Sequence, residues 1–490
     1  MITVACYAVY RGADLRLLHF LRGEAQRNAT LAIGVDIMFL SSFMAAEKST
    51  FRALLGFVRE LWRDLSWYVE MLYNGHLILP LPALISSFEL FMKSMGEVPT
   101  SFRTVASLYA SRWPNAAAAD EIMATYLRFV ASPEENYGLE PFDGRFLRLL
   151  KRWEIYSMLT NILFSLIKPK LYLAIYSGYL HHKTPCDSAV KMGVPTLVLG
   201  CGDCLYRVSD SKVPRQFDFV DFTQSKLPTD FAKLSEIGSR IFAQRVKGSF
   251  DSTMSYMKVS AYEKTTSDAF WAIPTVSDNF LEVSFAALSQ CRKAGYITVY
   301  MHELDDWHHN GVLPTFATSY YDWLRIIISF LIEEDLPYVL KVHPCISNSP
   351  SSYSNSVNAL VRLATDLNTC LNVTTSLSTI ELINAGMKLG VTVRGTVALE
   401  LAYLRTPFVC TGRPPYAALF PSRIEVDLCL CKQRLKNFAN ESAITDDEVN
   451  AASYFVALHE RSSSHPVIDV EGGILRLSPN QSYKKVKKYI

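Results

Sequence analysis

Short runs of apolar, β-prone residues recur along this chain, each followed by a polar segment and then by apolar residues at helical spacing. That alternation restricts the fold more than any other feature. It is clearest between residues 296 and 344. Tyr296-Ile297-Thr298-Val299-Tyr300 reads as a strand and runs into His302, Glu303, Asp305, Asp306, His308 and His309. An aromatic-rich helix is expected over 319–334. A second strand, Tyr338-Val339-Leu340, then delivers Lys341, His343 and Pro344. Strands without polar alternation are covered by helices on both faces, as in parallel sheets. Such sheets carry their chemistry at the carboxyl ends of the strands.

The same grammar appears twice more. Upstream, a strand over 170–176, a polar loop over 177–185, a helix over 186–192 and a strand over 193–200 form a βαβ module. Downstream, a helix is expected over 279–293 and another over 357–367. A strand over 371–375 leads to Ser378, read as part of the cap of the next helix. A strand then ends at Arg394-Gly395-Thr396, with a helix containing Glu400 behind it, and a last strand ends at Gly412-Arg413. Apolar residues at three- and four-residue steps predict a covering helix over 51–73, and further helices are expected over 145–167 and 231–248.

A chain of 490 residues exceeds one ordinary core. The Ser-, Thr- and Lys-rich stretch 249–275 reads as a linker between a domain at 1–248 and a second at 276–475, with a basic tail at 476–490. A formal charge of +2 gives no reason to expect a nucleic-acid partner. Ten cysteines without a dense framework suit a reducing, cytoplasmic setting. Cys201 and Cys204 have half the spacing of a zinc site, but no second pair completes it, so no metal is expected. His181-His182 lie at a strand's carboxyl end and are open to either a structural or a functional reading. No opening signal and no span of about 20 apolar residues is found. Lys484, Lys485, Lys487 and Lys488 leave a solvated tail or a contact with an anionic membrane surface as alternatives.

Three strand tips thus display His343-Pro344, Arg394-Gly395-Thr396 and Gly412-Arg413. Cationic side chains, a small hydroxyl and a helix start suit a nucleotide phosphate; the alternative is that Gly395 only makes a tight turn and Glu400 pairs with a surface cation.

The ordered set HELDDWHHNG (302–311), YYDWL (320–324), LKVHP (340–344) and VTVRGTVALELAYLRTPFVCTGRPPY (391–416) resembles the bacterial surface-polysaccharide, capsule-type glycosyltransferases. The stretch 175–200 resembles the first domain of that group. The likeness covers 171–200 and 296–416. It implies an α/β, GT-B-like architecture of two Rossmann-like domains facing across a cleft. A nucleotide-sugar donor would lie on the second domain and a glycan or lipid-linked acceptor would meet it there. Position by position, Lys341, His343, Gly395, Thr396 and Glu400 fall on the nucleotide side, and Pro344, Ser378 and Arg394 beside them complete the candidate nucleotide site. His302, Asp305 and Asp306 fall at the cleft motif, and His308 is a further catalytic candidate. The chain departs from the family at Glu303-Leu304-Asp305-Asp306, where a small or aromatic residue and a serine are usual. Asp305 and Asp306 therefore stand as alternative bases. A metal-independent reaction without a further cofactor is expected, with His302 or His308 orienting the base or acceptor. Glycerophosphate transfer of the teichoic-acid type, nucleotide-sugar epimerisation and non-catalytic nucleotide binding are the competing expectations.

Overall fold

The computed structural model describes residues 3–9, 30–36, 62, 69, 76–79, 144–174, 179–199, 204–208, 231–246, 280–290, 292, 294–304, 313–343, 350–414, 416–459 and 474–476. The chain divides into two units, one of Met1–Ala131, Asn136–Phe219 and Ser463–Ile490, the other of Ser132–Glu135 and Val220–Ser462.

The first unit is built on strands β1 (Thr3–Val9), β2 (Thr30–Asp36), β3 (His76–Leu79), β4 (Leu171–Ala174), β5 (Thr196–Leu199), β6 (Cys204–Val208) and β13 (Ile474–Arg476). Their order is β13-β6-β5-β4-β1-β2-β3. The stretch from β3 to β5 is parallel, and β6 and β13 add antiparallel pairs at one edge. Helix α1 (Gly144–Ile167) packs on α2 (Tyr179–Lys191), where the Trp153 indole donates to Thr184 Oγ1 at 3.0 Å. Phe164 of α1 meets Tyr172 of β4 at 5.4 Å between ring centres. Helix α2 starts earlier than the sequence implies: the expected loop over 177–185 is helical from Tyr179, with Pro185 inside it. His182, within this helix, is buried.

The second unit holds β7 (Phe280–Glu282), β8 (Tyr296–Tyr300), β9 (Tyr338–Lys341), β10 (Leu371–Thr374), β11 (Met387–Thr392) and β12 (Phe408–Cys410). All six are parallel, in the order β12-β11-β8-β9-β10-β7. From β8 the chain winds out through β9 to β10, then returns to the far side of β8 as β11 and continues to β12. This is the doubly wound pattern, and its switch point lies between β8 and β11. The strands from β1 to β5 repeat the pattern in the first sheet.

The helices of this unit follow from strand alternation. Ile297, Val299, Leu389 and Val391 face a core shared with α5 (Tyr320–Glu333) and α6 (Pro350–Asp366). Ser319 caps α5 by accepting from Asp322 N–H at 3.0 Å, as its place before the aromatic run suggests. On the other face the Tyr296 hydroxyl donates to Leu382 O of α7 (Thr379–Asn384) at 2.6 Å. Helix α8 (Val397–Tyr403) packs on that face too.

Three details differ from the sequence reading. The helix expected over 279–293 is strand β7 followed by the short helix α4 (Phe285–Gln290), because Phe280–Glu282 pairs with Leu371–Val373. Helix α3 (Phe231–Val246) falls on the far side of the boundary expected at 248. Its Ser235 donates to Asn450 O, and its Ser239 to Ser453 Oγ, both at 3.0 Å, on α10 (Asp446–His459). Ile474 and Leu475 lie in the first sheet through β13, not in the second domain. The helix expected over 51–73 (apart from the helical, exposed Trp62 and Val69), the linker over 249–275, Cys201 and the tail lysines lie outside the described residues. No described helix is long and apolar enough to cross a membrane.

Two sites report on how the second unit is held. A Cβ at Gly238 of α3 would stand 1.7 Å from the Ser453 carbonyl oxygen. Gly238→Ala should therefore cost about 1–3 kcal/mol or more through overpacking, read as a fall in the thermal midpoint. Arg423, fully buried, donates to both Glu448 carboxylate oxygens at 2.7 and 3.0 Å and to the Ser442 and Ala443 carbonyls, each at 2.9 Å. Burial by itself raises the Glu448 carboxyl, but the Arg423 hydrogen bonds and the Thr445 N–H outweigh it and hold the group below the usual range. That stability is present above the unfolded carboxylate value of about 4.3 and is lost as pH falls through the lower folded value. Glu448→Gln should lose about 3 kcal/mol at neutral pH, and its gap to wild type should close on acidification below about 4.

Candidate functional site

The carboxyl ends of β8, β9, β10 and β11 carry most of the residues singled out in the sequence. His302 follows β8 and stacks on Tyr320, the first residue of α5, with 4.1 Å between ring centres and 10° between planes. Its other neighbour is His343, beyond β9, at 5.8 Å and 22°. The His302 ring also lies 3.2 Å through Nδ1 from the Glu303 carbonyl oxygen. Tyr320 is fully buried, so the stack starts from a fixed ring. The two histidines are thus brought together, as neighbouring parallel strands require.

Lys341 ends β9 and turns toward β10, where its ammonium donates to Thr375 O at 2.9 Å. Burial pushes this amine down to about 8, against the opposing pull of Glu282 and Glu381. Glu282, at the end of β7, accepts from Thr375 N–H at 3.1 Å and from the Thr374 hydroxyl at 3.3 Å. Lys341 and Glu282 together tie three strand ends into one loop network. Ser378 belongs to the same loop and is occupied as a cap. Its hydroxyl accepts from Glu381 N–H at 3.2 Å while its own N–H donates to the Glu381 carboxylate at 2.9 Å. This is the reciprocal capping box.

Across the switch point, β11 leads into the turn Arg394-Gly395-Thr396. Gly395 is not needed for a left-handed backbone, since its φ is not positive. It is needed for space: a Cβ would stand 2.8 Å from Thr392 Oγ1 and 3.3 Å from Val397 Cγ1. The Gly395 N–H donates to Thr392 Oγ1 at 3.1 Å, and its carbonyl accepts from the Tyr416 hydroxyl at 2.6 Å. Thr396 is half-buried and makes no side-chain cap bond to the helix that follows. That helix, α8, has only seven residues, so its dipole is a minor contribution. Glu400 is buried beneath the sheet, near enough to Tyr300 to add to the upward shift that burial gives the tyrosine.

Asp305, Asp306, His308 and Pro344 lie outside the described residues. Among the described residues no three His, Cys, Asp or Glu side chains gather as a metal site would need. Tyr320, Tyr416 and Glu282 escaped the sequence reading. Tyr320 opens the motif 320–324 and Tyr416 closes the motif 391–416, but their partners are distant in sequence and no periodicity points to them. The Glu282 signal was hidden by the expectation of a helix there.

Two doubly wound sheets, with polar strand tips gathered at the switch point of the second, define a two-unit Rossmann-type α/β protein. No protein-family model and no curated protein matches the chain. Solved structures with a similar course include a UDP-N-acetylglucosamine 2-epimerase from Rickettsia bellii, at 9% identity and a TM-score of 0.31 with 94% of each chain covered. A UDP-GlcNAc 2-epimerase from Methanocaldococcus jannaschii has 12% identity and a TM-score of 0.29 over 69% of this chain and 87% of that one. MurG of Acinetobacter baumannii has 9% identity and a TM-score of 0.25 over 94% of this chain and 96% of its own. Residue roles do not transfer across likenesses this distant.

The lowered Lys341 value gives a test of the loop network. Between about 8 and the ordinary lysine value of about 10.4 the unfolded chain holds a proton that the folded chain releases, so stability from this group rises with pH. The stability difference between wild type and Lys341→Met should move in favour of wild type across that window in denaturant titrations. A flat difference would mean that Lys341 is not held as described.

Proposed function

We propose that the chain is a glycosyltransferase that moves a sugar from a nucleotide-sugar donor to a glycan or lipid-linked acceptor in surface-polysaccharide synthesis, working at the inner face of the cell membrane. The observation that carries this reading is the pairing of His302 with His343 at the ends of β8 and β9, beside the Arg394-Gly395-Thr396 turn on β11. His302, His343 and the 394–396 turn lie on the ends of β8, β9 and β11, beside a switch point, and this supports the reading because ligands of open α/β sheets usually bind there.

Glycosyl transfer needs a base for the acceptor hydroxyl and positive character for the departing phosphate. Asp305 or Asp306 is the base in this proposal, with His302 or His308 orienting it or the acceptor. His343, Arg394 and Thr396 hold the nucleotide's phosphates, in place of a bridging metal. Lys341 and Ser378 shape the neighbouring loop, and Glu400 supports the sheet beneath, so their part is indirect.

Thermal unfolding with CMP, UDP, GDP and CDP tests the nucleotide site. A ligand at a hundred times its dissociation constant stabilises by about 2.7 kcal/mol, and His343→Ala should lose most of the shift. If none of the four raises the wild-type midpoint, the reading is wrong. With the right donor, Asp305→Asn or Asp306→Asn should slow single-turnover transfer at least a hundredfold, roughly the contribution of a general base. Conversion of the donor to its epimer without an acceptor would instead favour epimerisation, and turnover of CDP-glycerol would favour glycerophosphate transfer.

A further inference from the structure

Resting on the nucleotide reading of this site, we infer that Tyr416 is a positioning residue: its hydroxyl fixes the β11 turn so that Arg394 and Thr396 are presented to the phosphates of the bound nucleotide.

The geometry around Gly395 leaves its peptide groups no freedom. The N–H is taken by Thr392 Oγ1 on one side. The carbonyl accepts from Tyr416 at 2.6 Å and from Ala398 N–H at 3.1 Å on the other. With both ends of the residue fixed and no room for a Cβ, the side chains that flank it have one set of starting directions. Those side chains are a guanidinium and a hydroxyl, the two donors this turn can offer an anion beyond its backbone. Thr396 is the contrast to Ser378. Both stand at helix starts, but Ser378 spends its hydroxyl on a capping box and Thr396 makes no cap bond.

Tyr416 is itself locked. It is buried, edge-on to Phe420 and Phe455 at 5.9 and 5.5 Å. Its oxygen lies 3.6 Å from Cys410 Sγ. A phenol has one proton, and the short bond to Gly395 uses it, so the Cys410 thiol is the donor in that contact. Cys410 ends β12, and Tyr416 closes the loop that leaves it. The bond from Tyr416 to Gly395 therefore joins the tips of β12 and β11 and carries the register of the sheet into the turn.

The test compares wild type, Tyr416→Phe, Thr396→Val and the double variant by titration calorimetry. The ligands are whichever of CMP, UDP, GDP and CDP gives wild type the largest thermal shift, and the matching nucleoside. Tyr416→Phe should weaken the nucleotide about tenfold, the scale of one lost hydrogen bond, while the nucleoside changes less than about twofold. Loss of packing alone would weaken both ligands alike. The double variant should lose less than the sum of the two single losses, because Thr396→Val has already removed one of the two groups that Tyr416 positions. Equal losses for nucleotide and nucleoside, no loss for either, or additive losses in the double variant would overturn the role of Tyr416. Thr396→Val alters a half-buried side chain and keeps the test open should Tyr416→Phe fold poorly: unchanged nucleotide affinity there overturns it too. Absence of wild-type binding to all four nucleotides defeats the underlying reading first, and is seen before any variant is made.

Discussion

How closely α8 approaches β11 decides the arrangement of the second sheet. A Cβ at Gly390 would stand 2.4 Å from Leu401 Cδ1 of α8 and 3.3 Å from Tyr300 Cε2 of β8. The missing side chain lets Leu401 reach the sheet, and Tyr300 lies over the same spot from the neighbouring strand. Parallel strands are stable only when both faces are covered, and here α5 and α6 cover one while α7 and α8 cover the other. Pairing of β8 with β11 is what changes the winding direction, and the close contact at Gly390 lies on the strand that makes this pairing.

The strand tips are then tied crosswise. Glu282 joins the end of β7 to β10, Lys341 joins β9 to β10, and Tyr416 joins the β12 loop to β11. These bonds lie between elements far apart in the chain, and each fixes a loop that a strand end would otherwise leave to water. A ligand arriving at such tips meets side chains whose ordering cost has already been met by the fold, which is the condition for tight and selective binding. Polar residues at a strand tip are therefore of two kinds here, those that build the loop and those that the loop presents.

Strands and helices of the second unit were legible because their signals are local. A β-prone run of five residues with helices on either side leaves few alternatives, and Ser319 marks its helix start by chemistry that acts within one turn. What was not legible depends on pairing across the sheet. Phe280–Glu282 looks helical in isolation and becomes a strand because Leu371–Val373 offers it an edge. Helix α3 was counted with the preceding domain because nothing in its own sequence says that Gly238 and Ser239 fit against Ser453. The candidate site divides in the same way. His302, His343 and Thr396 were recognisable as polar groups at strand ends, whereas the bonds of Lys341 and Ser378 and the burial of Glu400 could be seen only once the neighbouring elements stood beside them.

Lys341 and His343 show why spacing alone could not separate those two kinds. Val342 between them is buried in the core with α5 and α6, so alternation sends Lys341 and His343 to the same opposite side. On a sheet edge that would give them one environment. But β9 is an inner strand with β8 on one side and β10 on the other, and each residue takes a different neighbour. Lys341 reaches the β10 loop, and His343 reaches His302 beyond β8. A lysine and a histidine two residues apart thus serve separate gaps of the sheet, one holding a loop between β9 and β10 and the other completing a pair of rings between the tips of β8 and β9.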